Sequence, residues 1–331
     1  MKKLTLFLIV VFLCMVIVMP SHSILKKTAQ TGLQFLKVDV GARASAMGGA
    51  FMMVGNDANA LFYNPAGIAA MRSTSDIFVS RTEWIIGIKY NTAAYVQNLG
   101  NWGNVGISYI SSDYGDIIGT QVAANDKGFI ETGNLEVGAY AIGLAYARQM
   151  TDKFTVGGQV KYAFQRLGSN LLSNGQILSN KVSGLAYDFG TMFYPGFRSF
   201  RVGMSVRNFS PQFKYQEETF ELPLTFVVSG AMDVLDLINE EHKNSFLIAL
   251  DAIHPRDYTE RIHIGGEYWY NDMIALRAGY KYNYDEEGLS AGIGIKYAIE
   301  EGGRFVIKVD YSYSDLGIFD AVNRVSVGIS F

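Results

Sequence analysis

The chain closes on Asn323-Arg324-Val325-Ser326-Val327-Gly328-Ile329-Ser330-Phe331. Valine, valine, isoleucine and phenylalanine occupy alternate positions, and polar or small residues fill the gaps. A period of two puts successive side chains on opposite faces, so this is a strand with one apolar and one wet face. The same texture recurs upstream in Phe154-Thr155-Val156-Gly157-Gly158-Gln159-Val160-Lys161-Tyr162, in Ile262 to Tyr270 and in Phe305 to Tyr313. In each, bulky apolar groups share one face, charges and small residues mostly share the other, and aromatics gather near the strand ends. Aromatic girdles around an apolar band are the signature of strands that cross a bilayer.

Fourteen such segments can be read, near 75–84, 87–98, 102–113, 136–149, 153–167, 181–194, 199–208, 222–232, 244–254, 258–270, 273–281, 288–298, 303–314 and 321–331. The connections alternate in length. Short ones follow the second, fourth, sixth, tenth and twelfth segments, whereas 114–135, 168–180 and 209–221 are longer. Residues 233–243 read as a short helix on the short-turn rim. Short turns on one rim and long loops on the other predict an all-β membrane protein, a 14-stranded antiparallel transmembrane β-barrel. An even count puts both chain ends on one side. A soluble β-sandwich or propeller is the poorer alternative: no repeat of 40–50 residues supports blades, and a sandwich would not need a signal peptide, interfacial tyrosines and a terminal Phe together. The terminal Phe331 resembles the signal by which bacterial outer-membrane barrels are passed to their assembly machinery.

The N-terminus has a different character. Met1-Lys2-Lys3, the apolar run Leu4–Pro20 and the small residues of Ser21-His22-Ser23 read as a signal peptide over 1–23, cleaved after Ser23. The run is shorter than the roughly 20 residues of a spanning helix. Cys14, the single cysteine, lies inside it, so the mature chain is expected to carry no disulfide and no thiol chemistry. The net charge is −3, and removal of Lys2 and Lys3 takes it to −5. No block of like charge suggests a nucleic-acid partner. Residues 24–74 are rich in Ala, Gly, Met and Asn and read as short helices and turns, with Asn64 capping a helix that starts at Pro65. A fourteen-stranded barrel is too wide for its own side chains to fill. Residues 24–74 are therefore expected to form an N-terminal plug, with 75–331 as the barrel. Gly41, Gly48, Gly49, Asn64, Pro65 and Ala66 read first as plug packing and turn residues, and alternatively as part of a ligand gate.

Alternation places Lys89, Lys161, Asp188, Arg201, Arg207, Asp251, His263, Glu267, Arg277, Lys281, Lys296, Lys308, Asp310 and Arg324 in the lumen. A charge on the lipid face would cost about 2–4 kcal/mol at mid-depth. These groups read as a hydrated network tying plug to wall, or as a lining selective for an anion. The histidines show no metal-ligand spacing and no Gly-x-Ser-x-Gly elbow occurs, so neither an enzyme nor a metal or cofactor is expected. On the long-loop rim, Ile117, Ile118, Phe129 and Ile130, and then Leu171, Leu172, Ile177 and Leu178, are apolar pairs among polar residues. They are candidates for gripping a partner or for covering a hydrophobic entry.

Leu33 to Met71, with Gly41-Ala42-Arg43-Ala44-Ser45-Ala46-Met47-Gly48-Gly49-Ala50 and Asn64-Pro65-Ala66, resembles the N-terminal region of the PorV/PorQ family, relatives of the FadL-type barrels. Tyr140 to Phe154 and His263 to Ser290 resemble the same family. The resemblance implies a plugged fourteen-stranded barrel in a bacterial outer membrane, among lipopolysaccharide. It also implies a non-enzymatic role in type IX secretion, with the translocon and cargo C-terminal domains as partners. The FadL side of the resemblance implies the alternative of passive transport of small hydrophobic molecules.

Overall fold

A computed structural model describes residues 30–171, 176–215, 217–238, 243–299 and 305–331. The expected signal peptide, and Leu172 of the apolar loop pairs, lie outside the described residues. Strands β1 (Ser75–Glu83), β2 (Lys89–Asn98) and β3 (Asn104–Asp113) are followed by a hairpin, β4 (Ile117–Val122) and β5 (Phe129–Leu135). Then come β6 (Val137–Thr151), β7 (Phe154–Leu171), β8 (Ile177–Phe193) and β9 (Arg201–Phe209). A second small hairpin, β10 (Phe213–Lys214) and β11 (Thr219–Phe220), precedes β12 (Thr225–Asp233), β13 (Ser245–Pro255) and β14 (Arg261–Tyr270). The chain ends in β15 (Ile274–Tyr282), β16 (Leu289–Ala298), β17 (Val306–Asp315) and β18 (Ala321–Ser330).

Apart from the two small hairpins, the strands form one closed antiparallel barrel of fourteen. The seam is the quoted C-terminal strand: β18 pairs with β1 from Asp76 opposite Ser330 to Glu83 opposite Asn323. Closure leaves no edge in the wall, as hydrocarbon requires of any spanning sheet. Ile107, Leu144, Phe189, Leu276 and Val325 stand exposed on the outer face, while Ser108, Gln159, Ser326 and Ser312 are buried on the inner one. A belt of exposed aliphatic side chains around a polar interior is a surface made for lipid. Among the described residues, no helix is long and apolar enough to cross a membrane.

The short turns lie on the rim that carries Ser75 and Phe331, and both small hairpins stand on the opposite rim, called outer here. Two expectations need correction. The loops 114–135 and 168–180 are largely strand: β4 pairs with β5, and β7 and β8 extend to Leu171 opposite Ile177. Their Thr, Ile and Val content favours continued pairing. The helix expected over 233–243 is a single 3-10 turn, Leu235–Leu237, in its described part.

The segment before β1 fills the lumen. It holds a 3-10 turn (Gln34–Lys37), the short helix α1 (Ala42–Ala46) and 3-10 helices Ala58–Phe62 and Pro65–Ala70. It enters at the outer rim, where Thr31 bridges Glu221 in the loop before β12. It reaches the inner rim, where Ala58 N–H donates to Asp76 and Asn104 donates to the carbonyl of Ile68 at 2.6 Å. Its Phe35, Met47, Phe51, Met53 and Leu61 form the core of the molecule, almost wholly removed from solvent. Small residues allow this fit. A Cβ at Gly157 of β7 would stand 2.5 Å from the Ala66 nitrogen, and one at Gly265 of β14 would stand 2.5 Å from the Met47 carbonyl. Gly48 adopts φ +64° against the backbone of Tyr280, a turn that side chains rarely allow.

Candidate functional site

The plug carries three charged residues deep in the lumen, Asp39, Arg43 and Asp57, and each meets opposite charge on the wall. Arg43 extends from α1 and grips Glu267 of β14 with Nε and Nη2, at 2.8 and 2.7 Å. Glu267 also accepts from Arg277 of β15 at 2.6 Å, and Arg277 donates to Asp310 of β17 at 2.7 Å. Asp57 lies 3.5 Å from Arg43 and 3.3 Å from Lys308. Asp39 pairs with Lys281 at 2.6 Å, and its carbonyl accepts from Arg324. Planar, bidentate pairing fixes orientation as well as charge, which is why arginine serves at such joints.

Hydrogen bonds to plug backbone complete the joint. Asp251 of β13 accepts from Phe51 N–H and Met52 N–H, and from Ser229 at 2.5 Å. Arg201 donates to the Met53 carbonyl and Arg207 to that of Phe62. Asn64 caps its own turn through Ala66 N–H and reaches the Thr191 carbonyl of β8. Pro65 opens that turn, where a missing N–H costs nothing. Gly41 precedes α1 with φ +84°, against the Asn59 side chain.

Of the residues placed in the lumen by alternation, Lys161, Asp188, Arg201, Arg207, Asp251, His263, Glu267, Arg277, Lys281, Lys308, Asp310 and Arg324 lie inside. Lys161 pairs with Asp188 at 2.8 Å and donates to Asn208. Lys296 shares the inward register but reaches down to Asp272 in the β14–β15 turn. Lys89 is the exception. Tyr90, Thr92 and Val96 take the buried positions of β2, so Lys89 falls on the other face at the strand's outer end. There a long side chain reaches water. His263 and Glu267 share a face without meeting: His263 Nε2 lies 2.7 Å from the Tyr284 hydroxyl, and Glu267 is taken by the two arginines.

A latch at the outer mouth was not read from sequence. The buried carboxylate of Asp257, in the β13–β14 loop, accepts from Thr31 at 2.8 Å and from Lys37 at 2.9 Å, and Gln34 lies beside them. Burial lowers the Lys37 ammonium from its ordinary value. Burial alone would raise Asp257, but the Lys37 pair and the Thr31 hydrogen bond outweigh it and hold the carboxyl below the usual range. Under this strap a cavity is bounded by Leu36, Val38 and Val40 of the plug, Ile110 and Ala141 of the wall, and a polar floor of Gln159 and Lys161. It has room for about two waters, and Gln159 Oε1 is a buried acceptor without a protein donor.

On the outer rim, Ile117, Ile118, Phe129 and Ile130 are exposed on β4 and β5. Leu171 ends β7 opposite Ile177, itself exposed at the start of β8. At the inner rim, Phe331 N–H donates to the Ser75 carbonyl, and its exposed ring stacks on Phe305 with centroids 6.4 Å apart. Among the described residues no group of three His, Cys, Asp or Glu is arranged to hold a metal ion.

The fold is similar to that of several solved proteins. The Ralstonia pickettii toluene transporter TbuX matches with TM-score 0.54 and 15% identity, over 87% of this chain and 96% of that one. A Pseudomonas aeruginosa FadL homologue matches with TM-score 0.56 and 12% identity, over 89% and 98%. The Pseudomonas putida toluene transporter TodX matches with TM-score 0.56 and 13% identity, over 88% and 96%. At these identities the likeness concerns the fold alone. No curated protein matches by sequence. The profile of the type IX secretion system membrane protein PorP/SprF matches residues 57–326. That span takes in the last third of the plug and all of the barrel except the last residues of β18, and so the chain belongs to the PorP/SprF family of type IX secretion membrane proteins.

Proposed function

We propose that this protein is a non-enzymatic outer-membrane component of type IX secretion that holds exported protein at its outer rim. The observation that carries the reading is the filled lumen. The plug is joined to the wall by the Arg43–Glu267–Arg277–Asp310 chain and by backbone contacts closer than any side chain would permit. A lumen so occupied offers no path for a polypeptide, which leaves the outer hairpins and loops as the working surface. Exposed apolar side chains on the β4–β5 hairpin suit a protein partner. Within the pathway, the motifs of residues 33–71 resemble PorV/PorQ, and a hold on the C-terminal domain of cargo, handed over from the translocon barrel, is the finer form of the reading.

Deleting the gene in its native host and comparing surface and secreted proteins tests it. The expected result is that a subset of exported proteins is lost from the surface while outer-membrane barrels remain. Unchanged export of every such protein would remove the reading.

A second reading is passive transport of small hydrophobic molecules. The apolar underside of the strap, Leu36, Val38 and Val40, favours it. The cavity there is far smaller than a hydrocarbon ligand, so transport requires the strap to leave its place. Uptake of labelled toluene by cells with and without the protein separates this reading from the first.

A further inference from the structure

Two small hairpins stand on the outer rim, and they differ in one respect. The edge beside β11 is occupied: Thr31 forms a parallel bridge with Glu221, and Gly32 N–H donates to the Glu221 carbonyl at 3.0 Å. Among the described residues the β4–β5 ribbon has no such neighbour. Its strands pair only with each other, from Ile117 opposite Leu135 to Val122 opposite Phe129. An isolated two-stranded ribbon is marginal in water, and each outer edge carries unpaired backbone donors and acceptors.

The β4 edge lacks the charges and prolines that usually block such a template. Ile117-Ile118-Gly119-Thr120-Gln121-Val122 has no charge and no proline, and its single irregularity is a register shift at Gly119/Thr120. Ile118 is 57% exposed and Val122 is 91% exposed. Short, uncharged, β-branched segments of this kind are the ones that recruit another strand. Around this neutral edge the ribbon is acidic. Asp113, Asp116, Asp126, Glu131 and Glu136 stand against Lys127 alone. Glu136 is spent on Arg166 and Asp116 accepts from Asn134, whereas the side chains of Asp126 and Glu131 have no hydrogen-bond or ion-pair partner among the described residues.

We propose that the β4 edge is a docking site for an extended segment of an exported protein, added as a third strand and carrying lysine or arginine beside apolar residues. The proposal rests on the secretion reading for the source of the segment. A polypeptide is favoured over a lipid headgroup because only a peptide backbone can pair the whole row of edge donors and acceptors. Apolar side chains of the added strand cover Ile118 and Val122, and its cations face Asp126 and Glu131.

The test uses the purified full-length barrel in detergent and a short fluorescent peptide of alternating lysine and valine. Three comparisons are made: the peptide with glutamate for lysine, the peptide N-methylated at alternate amides, and a barrel in which residues 115–134 are replaced by a short Gly-Ser turn. Heat-dependent gel mobility reports that the variant barrel still folds. The expected result is saturable binding that weakens at least about tenfold in each comparison. Equal binding of the N-methylated peptide, equal binding by the shortened barrel, or no saturable binding overturns the proposal. Failure of the secretion reading is seen separately. If the peptide binds as expected but the gene deletion leaves export unchanged, the edge stands and its partner is not cargo. If export needs the gene but tolerates the shortened hairpin, the edge falls and the reading survives.

Discussion

Arg43 of the plug and Glu267 of the wall meet through two parallel charge-assisted hydrogen bonds, at 2.8 and 2.7 Å, and Glu267 is almost wholly buried. They lie far apart in sequence and on different parts of the fold. The pair is thus the lock between a segment that must enter the lumen and the wall that closes around it. Removing one partner takes away the other's bidentate contact in a buried site: Glu267 keeps only Arg277, and Arg43 keeps only the more distant Asp57. Arg43→Ala or Glu267→Gln is expected to destabilise the barrel by about 3–5 kcal/mol. The double variant Arg43→Met/Glu267→Met, which removes both charges, is expected to recover much of that loss. Urea midpoints of the refolded protein, read by heat-dependent gel mobility, check the order. Equal loss in the single and double variants would mean that packing and not charge sets the lock.

Gly157 of β7 faces the Pro65–Ala66 backbone, where a Cβ would stand 2.5 Å from nitrogen. Backbone cannot move aside as a flexible side chain does. Gly157→Val is expected to cost about 1–3 kcal/mol by overpacking and to push the plug off this wall. The measurable consequence is ionic conductance in a planar bilayer. The wild-type barrel should be nearly closed and the variant should open, because a fourteen-stranded wall without its filling is wide enough for water. A variant as closed as wild type would show that the plug yields elsewhere.

The barrel was legible because lipid imposes a period of two on every strand. The fourteen segments read from alternation are the fourteen strands of the closed sheet, with ends shifted by a few residues. Register placed the wall charges for the same reason, except Lys89, which sits at a strand end where neither face is penalised. The plug's partners were not legible. Arg43, Asp39 and Asp57 are isolated charges in a run of small residues, with no period to say which strand each will face. Their rarity in that run was the available signal, since a charge kept among alanines and glycines needs a partner. The Asp257 latch gave none, because it joins two loops. The motifs of residues 33–71 led towards PorV/PorQ, whereas the matching profile is PorP/SprF. Those residues serve packing against the wall, so they report the architecture and not the cargo.

The Asp257 latch makes the outer end of the plug sensitive to acid. Asp257 faces Lys37, Thr31 and Gln34, with Arg261 and Glu287 near Lys37. Its folded pKa lies below the ordinary carboxylate value of about 3.9. A depressed carboxylate contributes stability that is complete above its unfolded pKa and is lost as pH falls through its folded value. The strap should therefore stay shut at pH 5 and loosen only below about pH 4. Hydrogen exchange of the amides at 31–37 checks this, with the amides of Ala44–Met47 as the internal reference. Asp257→Asn should loosen the strap at every pH. Exchange at 31–37 that is unaffected by both treatments would mean that the buried Leu33 and Phe35 hold the strap without the latch.

Phe331 contributes its backbone to the barrel seam and its ring to the lipid side. The main-chain pair with Ser75 survives any side-chain change, and the ring is 45% exposed. Phe331→Ala should therefore change the stability of the refolded barrel by less than about 1 kcal/mol, as expected of a substitution outside the core. In cells the expectation differs, because a terminal aromatic residue is proposed to be read before the barrel exists. The variant should accumulate unassembled and be degraded, with a severalfold lower level in the membrane. Pulse-labelling followed by the heat-mobility shift separates the two effects, since it times assembly apart from stability. Slow assembly with unchanged unfolding assigns Phe331 to recognition. Assembly at the wild-type rate, or equal losses in both measurements, removes that role and leaves Phe331 as one more residue of the lipid belt.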